Sequence, residues 1–247
     1  MVKEFLHALH FLTRLRIGKH PEYEAELASA AVAWYALVGL LIGILLAISG
    51  WIFAAALDLP DYLSAALLLT LWVMITGALH LDGLGDCADA WMGGGSANRM
   101  LEIMKDSACG IGAIVALLLV LLLKFTALVS LQGGGDYWLL IVAPLAARFS
   151  LSLTVYLVPY VRSSGLGSRL GLNLDLKAIV IGGILISLLM LVISPAVYFA
   201  AIGASLAAFA LIYFCFIKPL NGATGDIYGA LVETTEAAVL VGLVVLR

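Results

Sequence analysis

His80-Leu-Asp82-Gly-Leu-Gly-Asp86-Cys-Ala-Asp89 sets three carboxylates directly after an apolar stretch long enough to cross a bilayer. On a helix turning about 100° per residue, the i, i+4, i+7 spacing gathers Asp82, Asp86 and Asp89 within about 60° of arc and roughly 10 Å of rise. Carboxylates that close repel one another unless a cation sits among them. Hard oxygen donors without clustered His or Cys suit Mg²⁺ or Mn²⁺, ions that keep positions open for water and phosphate. The competing reading is a solvated helix end whose acids merely face water; the cost of acids beside a spanning segment argues for function. Gly77, Gly83 and Gly85 leave little bulk there, so a bulky ligand or a second helix can come close to the backbone. If the helix runs unbroken from residue 79, His80 and Cys87 fall on its other side, which makes a zinc site with the acids geometrically poor. Both are expected to pack or hydrogen-bond, with His80 a proton acceptor only if the glycines unwind the segment.

The surrounding chain is apolar. Of 247 residues, 64% are hydrophobic and 12% charged, and the mean hydropathy is +1.12, which predicts an all-α polytopic membrane helix bundle forming one integral unit. Stretches at about 36–57, 63–79, 110–131, 137–158, 177–194, 196–216 and 227–246 approach the roughly 20 residues a span needs. That predicts about seven spans, six to eight allowing for the short ones, with Ser194-Pro195 either a turn or a kink. A net charge of −3 without a basic run gives no support for nucleic acid as a partner, and none is expected. Cys87, Cys109 and Cys215 show no CxxC spacing, so neither a disulfide framework nor a zinc knuckle is indicated.

Residues 3–15 carry Phe5, Leu6, Leu9 and Leu12 at near-helical spacing ahead of Arg14 and Arg16, the pattern of an interfacial helix, most simply an anchor. Charges in the opening thirty residues do not fit a cleavable signal, so the N-terminus is expected to be retained. Lys and Arg collect before the first span and in alternate loops. By the positive-inside rule the N-terminus and residues 80–109, 159–176 and 217–226 are expected on the cytoplasmic face of the inner membrane.

Further candidates lie on that face. Ser96 is placed to cap a helix through Asp106, with Arg99, Glu102 and Asp106 on one side. Two readings stay open: Arg99 and Lys105 hold phosphate oxygens while Asp106 adds a fourth metal carboxylate, or the helix is exposed with a local Arg99–Glu102 pair worth under about 1 kcal/mol. Asn221-Gly-Ala-Thr224-Gly-Asp226 opens the last span, where free N–H groups and the dipole favour an anion; the plain alternative is a capped polar turn. Asp226, Glu233 and Glu236 then share a face with Gly229, and two acids inside a span need a partner or a wet cavity. Arg148 and Glu236 each lie about 15 Å from the cytoplasmic ends of their spans, which predicts a buried pair. Lys124 is expected to snorkel to the outer interface. Arg162, Ser163, Gly165, Gly167 and Arg169 form a loop able to hold phosphate, although the positive-inside bias alone explains its arginines.

The run Gly77 to Asp89, followed by Arg99-Met-Leu-Glu-Ile-Met-Lys-Asp106-Ser107, resembles the adenosylcobinamide-GDP ribazoletransferases, also called cobalamin synthases. Phe11-Leu-Thr-Arg-Leu15, Gly165-Leu-Gly167, Thr224-Gly-Asp226, Gly229-Ala and the later glutamates extend the likeness over nearly the whole chain. The resemblance implies a membrane enzyme that joins α-ribazole, or its 5′-phosphate, to adenosylcobinamide-GDP and releases GMP, with Mg²⁺ as cofactor. Departures at Ala108-Cys-Gly-Ile-Gly, where the family continues with Arg and then Gly-Thr, and at Gly222-Ala223 instead of Gly-Gly, bear on one phosphate contact and on loop shape and leave the acids intact. On this basis Asp82, Asp86, Asp89 and Asp106 are expected to hold one or two Mg²⁺ (or Mn²⁺) ions on the pyrophosphate, with Arg99, Lys105, Arg162, Asn221, Thr224 and Asp226 at the substrates. Substrates and membrane lipid are the expected partners, and the sequence allows a homo-oligomer. Two rivals are a CDP-alcohol phosphatidyltransferase, whose Ala-Arg is here Asp86-Cys87 and whose later Asp-x-x-x-Asp is missing, and an ion-coupled transporter using Arg148, Glu233 and Glu236 as a relay.

Overall fold

Two consecutive left-handed residues, Gly77 (φ +64°) and Ala78 (φ +58°), break the chain between an apolar helix and the acidic one that follows. The computed structural model describes residues 1–18, 24–162 and 174–246, and in it these two helices meet at 90°. Glycine adopts this conformation freely, whereas alanine pays for it. Arg14 holds the corner. Its backbone N–H donates to the Ile75 carbonyl at 2.7 Å, and its side chain lies so tightly over Gly77 that a Cβ there would collide with it.

In chain order the helices are α1 (Val2–Leu12), α2 (Ala25–Ala56), α3 (Asp61–Thr76) and α4 (Leu79–Gly93) on either side of the corner, α5 (Ala97–Ile103), and then α6 (Ile111–Gly133), α7 (Tyr137–Leu157), α8 (Leu176–Ile193), α9 (Pro195–Leu220) and α10 (Gly225–Val245). Six of these are long and apolar enough to cross a membrane, seven if α3 and α4 are counted as one broken span, which is the number expected. The first begins near residue 25 instead of 36, and the second is shorter than drawn. At 16 residues α3 rises only about 24 Å. Ser194-Pro195 is a turn: Ser194 caps α9, accepting from the Val197 N–H, and Pro195 takes the first helical position, where its missing donor costs nothing.

At the centre of the bundle is α10, packed against α4, α6, α7 and α9. On the other side α2 meets α7 through small residues; a Cβ at Gly43 would lie 2.5 Å from the Ile141 Cα. The N-terminal helix forms as α1, which ends at Leu12 because Thr13 is extended, and it packs on the start of α2.

Charge is also buried in this core. Lys124 is 3% exposed and donates to Glu233 at 2.6 Å and to Glu236, with its ammonium 4.7 Å above the Trp72 ring. The expectation that Lys124 snorkels outward is therefore wrong. Two carboxylates facing α6 hold it inward more strongly than the interface attracts it. The expected Arg148–Glu236 pair is present, with both side chains fully enclosed. Four charges from α6, α7 and α10 thus close on one another.

Candidate functional site

A stripe of small residues lets α4 lie across the starts of α10 and α6. A Cβ on Gly83 would sit 2.7 Å from the Asp226 carbonyl oxygen, and one on Gly229 would sit 2.9 Å from that of His80. The glycines flanking the acids therefore admit a second helix, the closer of the two approaches open to them. His80 and Cys87 are buried in the packing of α4, with Cys87 within electrostatic reach of Asp86 and Asp226. Asp82 is exposed and Asp86 half-buried on its outer side.

This contact adds Asp226 to the acids of α4. Asp86 lies within electrostatic reach of Asp226 and Asp82, and Asp226 within reach of Asp82. Arg162 faces them: its Nη2 is 2.7 Å from Asp226 Oδ2, with both side chains 18% exposed. The loops carrying these two residues are zipped together, since the Val161 N–H donates to the Ala223 carbonyl at 3.0 Å and the Ala223 N–H to that of Pro159 at 2.9 Å. Gly222 is required in this turn because a Cβ would strike the Pro159 carbonyl. Ala223 is accommodated, fully buried.

Thr224 caps α10, accepting from the Ile227 N–H at 3.3 Å, and its hydroxyl donates to Asp226 Oδ2 at 3.3 Å. It is buried, so its hydroxyl shapes the turn that carries Asp226. The loop after α5 closes over this point. Arg162 donates to the Met104 carbonyl at 3.4 Å, and Met104 Sδ lies 3.9 Å from the Thr224 hydroxyl.

Asp89 stands beside the cluster, but its Oδ2 accepts from the Gly110 N–H at 2.7 Å and its Oδ1 from the Ala113 N–H at 2.9 Å. It serves as the remote cap of α6, a span that begins Gly110-Ile-Gly112 with no capping side chain of its own. Asp106 is exposed and turns its carboxylate to the Ala108 N–H. Ser96 caps α5 as expected, though the helix ends at Ile103. Arg99 pairs with Glu102 at 3.2 Å, both well exposed, so the local ion pair is the arrangement observed. Lys105 and Asn221 are exposed, the latter in a left-handed turn that ends α9. Ser163, Gly165, Gly167 and Arg169 lie outside the described residues.

Tyr160 was not anticipated. Its ring is 6.2 Å from that of Tyr228; it feels the charges of Arg162 and Asp226, and burial pushes its phenol up. The signal was available, because residues i and i+2 of an extended segment share a side, and Arg162 is two residues on.

Among the described residues, no three His, Cys, Asp or Glu side chains converge as a ready-made metal cage. Mg²⁺ needs none: it is held by one or two carboxylates, with water and substrate phosphate completing its octahedron. Asp82 and Asp86, accessible and adjacent to a third acid, fit that requirement.

Residues 4–244 match the family model for cobalamin-5-phosphate synthase. The chain belongs to that family. Curated relatives named adenosylcobinamide-GDP ribazoletransferase include proteins from Pseudomonas aeruginosa (strain UCBPP-PA14), 46% identical over 98% of both chains, Pseudomonas putida (strain GB-1), 43% identical over 97% of both, and Ectopseudomonas mendocina (strain ymp), 42% identical over 96% of both. No solved structure matches.

Proposed function

We propose that this protein is an adenosylcobinamide-GDP ribazoletransferase of the inner membrane, working at its cytoplasmic face with Mg²⁺ as cofactor. The observation that carries this reading is the convergence of Asp82 and Asp86 from α4 with Asp226 and Arg162 from the loops beside them. It is an acidic pocket with one cation, suited to a metal-bound pyrophosphate. A hydroxyl of α-ribazole, or of its 5′-phosphate, attacks the phosphorus attached to cobinamide. The new P–O bond forms as the bridging bond breaks, and GMP leaves with the bridging oxygen.

Asp82 and Asp86 would hold the ion, with Asp226 available to it. When bound, Mg²⁺ withdraws charge from the phosphorus and neutralises the departing phosphate. Arg162 contributes a second positive charge where the phosphate oxygens gather. Tyr160, protonated and half-buried, offers a hydroxyl and a ring face at the rim. The proton of the attacking hydroxyl passes to a carboxylate of this set or to water. Asp89 fixes α4 against α6 and thereby the bearing of Asp86. The positive-inside distribution of Lys and Arg supports the cytoplasmic side, since the loops on the site's face carry these residues.

The test is GMP release from adenosylcobinamide-GDP and α-ribazole by detergent-solubilised protein, with and without Mg²⁺, beside Asp82→Asn and Asp86→Asn. Metal-dependent release that both variants lose is expected. Full turnover by both variants would remove the metal pocket, and CMP release from a CDP-alcohol instead would transfer the protein to the rival class.

A further inference from the structure

We propose that Arg162 is a stand-in cation: in the substrate-free protein it occupies Asp226 in place of the divalent ion, and it is handed to the pyrophosphate when metal and substrate arrive. This rests on the metal pocket proposed above and deepens it.

The argument begins with charge. Asp82, Asp86 and Asp226 bring three negative charges into mutual reach, and Asp89, within reach of Asp86, adds a fourth while its oxygens accept backbone N–H groups. Arg162 is the cation in ion-pair contact with this set among the described residues. With it in place the carboxylates still outnumber the cation, and a divalent ion relieves that surplus. Without it the three acids would repel across a half-dry surface.

The way Arg162 is held suits a residue that changes partner. One nitrogen serves both contacts: Nη2 pairs with Asp226 at 2.7 Å and reaches the Met104 carbonyl only at 3.4 Å. Its Nε is buried with no hydrogen-bond partner among the described residues. A guanidinium built into a permanent lock uses its fork in parallel bonds; among the described residues this one makes none. Asp226 is complementary. Arg162 and Thr224 both bond its Oδ2, so Oδ1 has no donor among the described residues and is open to a metal.

Arg162 and the ion therefore compete for Asp226 in the free protein and cooperate once phosphate is present. Removing Arg162 has opposite effects on the two states, a pattern that a purely structural ion pair does not produce.

The experiment measures Mn²⁺ binding by electron paramagnetic resonance on purified full-length protein without substrate, alongside GMP release at saturating Mg²⁺. Arg162→Met is expected to bind Mn²⁺ about tenfold more tightly than the parent, while its turnover falls roughly a hundredfold. Arg162→Lys, which keeps the charge, should bind Mn²⁺ like the parent. On an Asp226→Asn background, Arg162→Met should no longer tighten binding. A misfolded variant cannot yield a gain in affinity, so tighter binding is itself the folding control. Equal Mn²⁺ affinity in parent and Arg162→Met overturns the stand-in role while the metal pocket survives, provided Asp82→Asn and Asp86→Asn still weaken binding. If those two bind as the parent does, the pocket itself is wrong and the inference falls with it.

Discussion

Helix α10 carries two clusters of charge, and they are built on opposite rules. Glu233 and Glu236 lie deep in the bundle and are matched by Lys124 and Arg148, two acids against two bases with every side chain under 5% exposed. Asp226, about 10 Å nearer the helix start, belongs to a set in which acids outnumber bases and Asp82 is open to water. In the interior an unbalanced charge is unaffordable, so the chain supplies its own counter-ions. At the mouth the imbalance is tolerated because water screens it, and it is useful because a metal ion can relieve it. One cluster therefore serves stability and the other chemistry, a division that substitutions can separate.

Breaking the inner balance is expected to have the largest effect. Glu236→Gln leaves Lys124 and Arg148 facing one buried carboxylate, which should cost about 3–5 kcal/mol of stability. The measurement is the denaturation midpoint in detergent. Glu236→Gln combined with Lys124→Met restores neutrality, and the double variant should recover a substantial part of that loss, with a coupling of about 1–3 kcal/mol. If the double variant is only as stable as the sum of the two single losses predicts, the four residues do not act as one unit.

At the mouth the signs reverse. Asp86→Asn removes a carboxylate crowded by Asp226 and Asp82, so the fold should be unchanged or slightly stabilised. GMP release should nevertheless fall roughly 10²–10³-fold, as expected on losing a group that fixes the metal. A variant that loses stability and activity together would show that Asp86, like Glu236, is a structural charge.

The difference between the clusters also explains how far each was legible in the sequence. The Asp82–Asp86 face depends on helical periodicity within one short segment, and the Arg148–Glu236 pair on counting depth along two spans; both survive in the structure. Lys124 could not be placed by depth alone. Its direction depends on the rotation of α6, and in a span as uniformly apolar as Ile111–Gly133 the pattern of residues does not fix that rotation. The spacing of Asp89 with Asp82 and Asp86 marks it as a candidate ligand and says nothing of its part in packing. The structure ties it to Gly110 and Ala113, which only the uncapped start of α6 could have hinted at. The meeting of Arg162 with Asp226 joins residues 64 positions apart through two paired loops, and no local period encodes that.

A smaller effect tests the helix contact that unites the site. Gly229→Val places a branched side chain where the His80 backbone already lies 2.9 Å from a Cβ, pushing α4 from α10 at a cost of about 1–3 kcal/mol. Activity should fall more than stability does, because the displacement separates Asp226 from Asp82 and Asp86 while leaving the inner cluster intact. Proportionate losses would mean that α4 is a passive cover.

The smallest effect is expected at Arg99, and it bears on where the outer cluster ends. Arg99 pairs with Glu102 on an exposed helix at 3.2 Å, with side chains 61% and 66% exposed. Arg99→Ala should therefore change stability by less than about 1 kcal/mol. If α5 stays where the structure places it during turnover, GMP release should fall by no more than about threefold. A loss approaching that of Arg162→Met would show that α5 closes onto the bound pyrophosphate and brings Arg99 with it. The link from Arg162 to the Met104 carbonyl at 3.4 Å is the contact that would free the loop after α5 to move, because a guanidinium that turns to phosphate must let go of Met104.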